Sequence, residues 1–233
     1  SFPLPVQTVE RAVDEFGKAT NPGSAGQALA VLLTHREAAL PFLRQSFDGS
    51  EGPAKLLYAQ VLGVFGDKRV VPLLTAALDN VDHWDEKIKQ GHMADHAYLP
   101  TPIDSLILSL GYAGDTSAVP AILRVVERLS AEETLSHHRA VALALERLAD
   151  SSAAGPLAAL LRKPGMQGYA LTALPPAGPS ENRAESIREI SLARALYRCG
   201  DDHDLGLTIL KQYSKDLRGL FARHAQAVLS KEK

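Results

Sequence analysis

The chain predicts an all-α fold: an α-α superhelix, or solenoid, of about five helical pairs with end-capping helices. Three observations in its 233 residues carry this. The first is Ala54 to Leu78, AKLLYAQVLGVFGDKRVVPLLTAAL, which reads as an apolar helix, a Gly66-Asp67 turn and a second apolar helix with Pro72 near its start. The second is a rule that this stretch obeys: Ala or Ile, two residues, Leu, three residues, Gly or Ala, Asp. It is met at Ala59/Leu62/Gly66/Asp67, Ile107/Leu110/Gly114/Asp115, Ala142/Leu145/Ala149/Asp150 and Ala193/Leu196/Gly200/Asp201. Its leucines are spaced by 48, 35 and 51 residues, a basic period of about 35 with two insertions. The third is the set Pro41, Pro72, Pro120 and Pro156, expected near the first turn of each second helix, where a missing amide hydrogen costs least.

In order along the chain, Val6, Val9, Val13 and Phe16 lie at helical spacing and predict a capping or connecting helix. Thr20 to Gly26, TNPGSAG, predicts a turn-rich break. Residues 26 to 47 predict a first, degraded pair, with Leu29, Leu32 and Leu33 on one helix and Leu40, Phe42 and Leu43 on the other. Four better pairs follow. Glycine ends each first helix by tolerating a left-handed conformation, and aspartate accepts from the free amides that open the second. Thr101, Pro102 and Asp104 read as a helix start, and Glu132 and Glu133 as a solvated one. Asp104 and Arg139 fall in equivalent repeat positions, which suggests an ion pair between stacked helices. The last pair has Gly206 where proline is expected, and Leu217, Leu220, Phe221, Val228 and Leu229 suit a closing helix. One pair alone cannot bury its apolar face, so the pairs must stack.

VLGVFGDKRVVPLLTAAL and SLGYAGDTSAVPAILRVV, with their LG, GD and VP marks, resemble HEAT-like repeats, in particular the type found in phycobilisome lyases. The resemblance spans roughly residues 25 to 230 and is strongest from 54 to 161. It implies a HEAT-like solenoid and permits a bilin-lyase relative. SHHRAVALALE and PTPIDSLILSLGYAGD resemble, more weakly, HEAT-like segments that follow the flavin domain of bacterial FAD-dependent oxidoreductases. That would place any flavin chemistry in another domain, and no dinucleotide-binding glycine loop is found here. HEAT-type deoxyhypusine hydroxylase holds iron through His-Glu pairs, and no histidine of this chain precedes a glutamate.

With 25 basic and 27 acidic side chains and a formal charge of −2, the chain is not built to neutralise a nucleic-acid backbone. No apolar run is long enough to span a bilayer, and SFPLPVQ lacks the basic and apolar regions of a signal peptide. The start at Ser1 without methionine fits a processed protein or a domain cut from a longer chain, and the second is the expectation: residues 1–233 as a single solenoid domain of a larger protein. Cys199, the single cysteine, lies in an apolar helical pattern and reads as a small buried hydrophobe. No nucleophile-His-Asp order, phosphate-cradling loop or recognisable pair of carboxylates is present.

Both insertions, 80–100 and 163–183, fall between the second helix of one pair and the first helix of the next. The connection Ser130 to Ser136 is of the same class, so all three should line one edge of the solenoid. That edge collects Trp84 and Tyr98, five of the eight histidines (His83, His92, His96, His137, His138), and Tyr169 in a Pro/Gly-rich loop. One expectation is a non-catalytic module that binds a protein surface or a neighbouring domain of its own polypeptide. Its contacts would be Trp84, His92, His96, Tyr98, His137, His138 and Tyr169, and no cofactor is expected. The rival is a metal-dependent or bilin-lyase-like enzyme, with His92 and His96 one helical turn apart, Asp95 or His138 completing a shell, and His137 a further candidate. The structural alternative for the same residues is that the histidines solvate an insertion and that the aromatics cover their own repeat.

Overall fold

The computed structural model describes residues 6–18, 22–81, 102–173 and 182–231, and among these the chain forms twelve α-helices and no strand. Local turn chemistry sets the helix boundaries. Gly66, Gly114, Ala149 and Gly200 all take positive φ, between 49° and 103°, the left-handed conformation that reverses the chain after each first helix. Asp67, Asp115 and Asp150 then accept from the backbone amides of Arg69, Ser117 and Ser152, each capping a short 3-10 turn ahead of the second helix. Burial would raise the Asp67 carboxyl, but hydrogen bonds from Arg69 and Arg44 outweigh it and hold the group below the usual carboxylate range.

The pairs are α2 (Pro22–Thr34) with α3 (Arg36–Asp48), α4 (Gly52–Val64) with α5 (Val71–Asp79), α6 (Pro102–Ala113) with α7 (Val119–Arg128), α8 (Leu135–Leu148) with α9 (Ala154–Leu161), and α10 (Arg183–Arg198) with α11 (Leu205–Tyr213). Helix α1 (Val6–Gly17) packs on α2 and α3 at one end, and α12 (Gly219–Ser230) packs on α11 at the other. The first helices α4, α6, α8 and α10 stack side by side as one layer, while α5, α7 and α9 follow one another in the second. Leu62, Leu110, Leu145 and Leu196 are fully buried between the layers, each worth about 1.5–3 kcal/mol relative to exposure. One apolar core runs from Val9 to Val228 and includes Cys199, whose thiol burial pushes up to about 11. No described helix is long and apolar enough to cross a membrane.

The LG marks have a packing origin. A side chain on Gly63 would meet the Ser109 carbonyl at 3.0 Å, and one on Gly111 would meet the Ala144 Cα at 2.5 Å, so both glycines mark where stacked first helices approach most closely. In the fourth pair the equivalent residue is Glu146, whose carboxylate takes Arg194 and Arg198 of α10 at 2.5 and 3.0 Å.

Several sequence expectations are corrected. Pro41 lies inside α3, at its sixth residue, because that helix already begins at Arg36. The 20–26 break contains a helix start, with Pro22 opening α2. Leu33, Leu217 and Leu220 are exposed, not buried. Gly206 replaces proline for two reasons: a Cβ there would sit 2.9 Å from the Ala193 carbonyl, and the Gly206 amide donates to Asp201 Oδ1 at 2.7 Å, a bond proline cannot make.

Candidate functional site

Two of the three edge segments, 130–136 and 163–173, are described, and they are neighbours. The Arg188 guanidinium of α10 donates from Nη1 to the Ala131 carbonyl and from Nη2 to the Gly165 carbonyl, both at 2.8 Å, and so ties them together. Lys163 Nζ reaches back to the carbonyls of Glu127 and Leu129 at the end of α7, where a cation also complements the helix dipole. His138 adds two more ties, with Nδ1 2.9 Å from the Thr134 carbonyl and Nε2 2.9 Å from the Ser130 carbonyl. Side chains beneath the outward-turning connection thus lie within hydrogen-bond reach of five carbonyls from Glu127 to Thr134, two of them facing the single His138 ring.

The second insertion is anchored in the same way as far as residue 173. The fully buried Glu189 carboxylate accepts from the Gly168 and Tyr169 amides at 2.9 Å each and from the Tyr213 hydroxyl at 2.8 Å. Burial and the adjacent Glu189 charge push the Tyr213 phenol upward, so it stays a donor. Asp216 accepts from the Leu171 amide at 2.8 Å and from Arg218 at 2.7 Å. Burial would raise its carboxyl, but the Arg218 bond and the Leu171 and Arg218 amides hold it low. Arg218 continues to the Tyr169 carbonyl, the Asn182 amide oxygen and the Ser186 hydroxyl. Tyr169 itself is half-buried, its hydroxyl donating to the Gly165 carbonyl within its own loop.

His137 and His138 do not face outward as partner contacts or metal ligands. Both rings are fully buried. His137 Nδ1 donates to Asp104 Oδ1 at 2.6 Å, so Asp104 pairs with His137 across α6 and α8 in place of the expected Arg139, which is exposed. Glu132 is exposed and Glu133 half-buried in a turn ahead of α8, one step before the helix they were expected to open. Among the described residues no three His, Cys, Asp or Glu side chains gather to hold a metal ion. Trp84, His92, His96 and Tyr98 lie outside the described residues.

Arg188, Glu189, Asp216 and Arg218, the residues that hold the edge, escaped the sequence reading. The repeat register carried a signal for two of them: Arg188 and Glu189 precede Leu196 by eight and seven residues, as His137 and His138 precede Leu145. Polar residues at these positions stand in the first half of a first helix, beneath the connections.

A neutral His138 ring has one N–H and serves only one of its two carbonyls, whereas an imidazolium would serve both. Burial outweighs the carbonyls and, with Arg188 and His137 beside the ring, lowers its pKa to about 4. Between pH 6.5 and 4 the unfolded chain therefore binds a proton that the native chain refuses, and stability falls as pH falls, by about 3 kcal/mol at pH 4. His224, lowered by burial and Arg194, acts in the same direction, while Asp67, Asp115, Asp150 and Asp216 lose their contribution only at lower pH. Urea unfolding across this window is expected to show the slope, and His138→Gln to remove most of it. An unchanged slope in the variant would refute the assignment.

A groove of about 710 Å³ between α1, α3 and α4 is lined by Glu10, Asp14, Lys18, Gln45, Ser46 and Tyr58. Asp14 and Lys18 pair with each other at 2.8 Å, and the Tyr58 hydroxyl donates to the Val13 carbonyl.

No family model matches the chain, and no curated protein matches it. A solved structure does: the complex of CpcE and CpcF of phycocyanin lyase from Nostoc sp. PCC7120, with a TM-score of 0.56 and 16% identity over 98% of this chain and 77% of that one. At that identity the likeness is one of fold, and the chain is an α-α superhelix of the HEAT-like kind its repeats predict.

Proposed function

We propose that the protein is a helical-repeat module that binds another protein, or a neighbouring domain of its own polypeptide, through the edge formed by 130–136 and 163–173. One observation carries this reading: four charged side chains, Arg188, Glu189, Asp216 and Arg218, are spent on backbone groups of these connections. Arg188, Glu189 and Asp216 are buried and Arg218 is half-buried, a cost that their hydrogen bonds to the loop backbone offset, and the result is a loop surface of fixed shape. The described polar groups beneath the edge hold backbone and are not arranged around a reacting centre.

A photocrosslinking amino acid placed at exposed Gln167 or Glu132, with exposed Leu33 as the control position, tests this in cells. The expected result is a discrete crosslinked product from both edge positions and none from Leu33. Crosslinking at Leu33 alone would move the binding surface to the other end of the solenoid.

A second reading, a chromophore lyase, is favoured by the likeness in fold to a phycocyanin lyase complex. Incubation of the purified chain with a bilin and an acceptor protein would then give covalently coloured acceptor, and a colourless acceptor counts against it.

A further inference from the structure

Tyr169 to Thr172 runs without a turn or bend, and its hydrogen bonds alternate, the preceding Gly168 amide sharing Glu189 with that of Tyr169. Tyr169 turns inward, its amide on Glu189 and its carbonyl on Arg218 and Ser186. Leu171 also turns inward, its amide on Asp216 and its carbonyl on the Leu217 amide at 2.8 Å. In an extended chain the N–H and C=O of one residue point to the same side and those of its neighbours to the other. The backbone groups of Ala170 and Thr172 are thus directed away from the body, and neither residue makes a backbone hydrogen bond among the described residues.

We infer that residues 169–172 form a fixed single-strand edge that receives an extended, carboxylate-bearing segment of a partner protein by backbone pairing at Ala170 and Thr172. This rests on the protein-binding reading and specifies its mode. Donors and acceptors repeating every second residue match an extended peptide backbone, which docks on strand edges in this way. The strand is already immobilised by Glu189, Asp216 and Arg218, so an incoming segment orders only itself. The partner's charge follows from the surroundings: exposed Arg183 and Lys215 adjoin Asn182 and Asp216, the residues tied to the strand through Arg218 and directly.

The test is selection of a phage-displayed library of random linear peptides on the whole chain. The leading peptide is then titrated against wild type, Thr172→Pro and Thr172→Ala. Proline removes the outward N–H, whereas alanine removes only the side chain. The selected peptides are expected to be acidic, Thr172→Pro to weaken binding about tenfold and Thr172→Ala to leave it unchanged. Bound peptide should also slow hydrogen exchange at the Ala170 and Thr172 amides of the wild type, and this measurement decides alone if the proline variant loses its loop structure. Equal binding by the proline variant, equal loss in both variants, basic peptides or exchange protection elsewhere each overturn the inference. Absence of any binder, together with crosslinks at Gln167, overturns the strand mode and leaves the edge as a binding surface. Absence of both removes the protein-binding reading itself.

Discussion

Replacing Glu189 with alanine is expected to lower the unfolding free energy by about 3–5 kcal/mol, because it strips one buried acceptor from three donors at once. The Gly168 and Tyr169 amides and the Tyr213 hydroxyl all converge on this carboxylate within 2.9 Å, and Glu189 and Tyr213 are closed to water. For a chain of this size each kcal/mol corresponds to about 2–4 °C in Tm. Urea melts would give the magnitude, and hydrogen exchange would locate it: the amides of Gly168, Tyr169 and Leu171 should exchange much faster while those of α4 and α6 keep their protection. Glu189→Gln retains an acceptor oxygen but brings an amide group towards other donors, so it should fall between alanine and wild type. A loss under about 1 kcal/mol for alanine would mean that water reaches this site and that the loop is not clamped as described.

The second large effect is one of sign. Gly111→Ala adds a methyl 2.5 Å from the Ala144 Cα and 2.8 Å from its Cβ, contacts that only a separation of α6 from α8 can relieve. Alanine gains about 1 kcal/mol in helix propensity over glycine, and overpacking against backbone costs about 1–3 kcal/mol or more, so a net loss of about 2 kcal/mol is expected. The same substitution at Gly155 in α9 meets nothing within 4 Å and should be neutral or stabilising by up to about 1 kcal/mol. Thermal melts of the two variants side by side check the contrast. Similar shifts for both would show that the first helices are not packed as tightly as Gly111 implies.

The repeat rule could be read from sequence because each of its marks acts locally. Gly114 and Asp115 set a turn through their own backbone and the amide two residues on, so neither needs a distant partner. The same holds for Pro72 and Pro120, each the second residue of its helix. Pro41 and the 20–26 break were misplaced where the repeat is degraded and no Gly-Asp mark fixes the register. Leu217 and Leu220 counted as core by hydrophobicity alone, yet among the described residues no helix covers the outer face of α12, so Phe221, Ala225 and Val228 are buried while Leu220, and Leu217 ahead of the helix, stay exposed.

The candidate site was half legible. Insertion lengths located the edge, because connections of one class must emerge on one side of a stack, and the Arg188 bridge between Ala131 and Gly165 is the direct sign of it. Residue type misjudged what that edge exposes. His137 and His138 read as a polar surface, but their ring nitrogens are turned onto Asp104 and onto the Ser130 and Thr134 carbonyls, and the rings are sealed.

By itself, then, the sequence determined the helical pairs, their turns, their number and the side on which the connections leave the stack. These follow from interactions between residues a few positions apart and from the need of each pair to bury an apolar face. Only the tertiary structure decided which polar side chains lie under the connections and which backbone groups remain turned outward. Arg188 meets Ala131 57 residues away and Asp216 meets Leu171 45 residues away. Whether such a charge is solvated or buried depends on the stacking register of whole helices, a property that no local pattern of residues encodes.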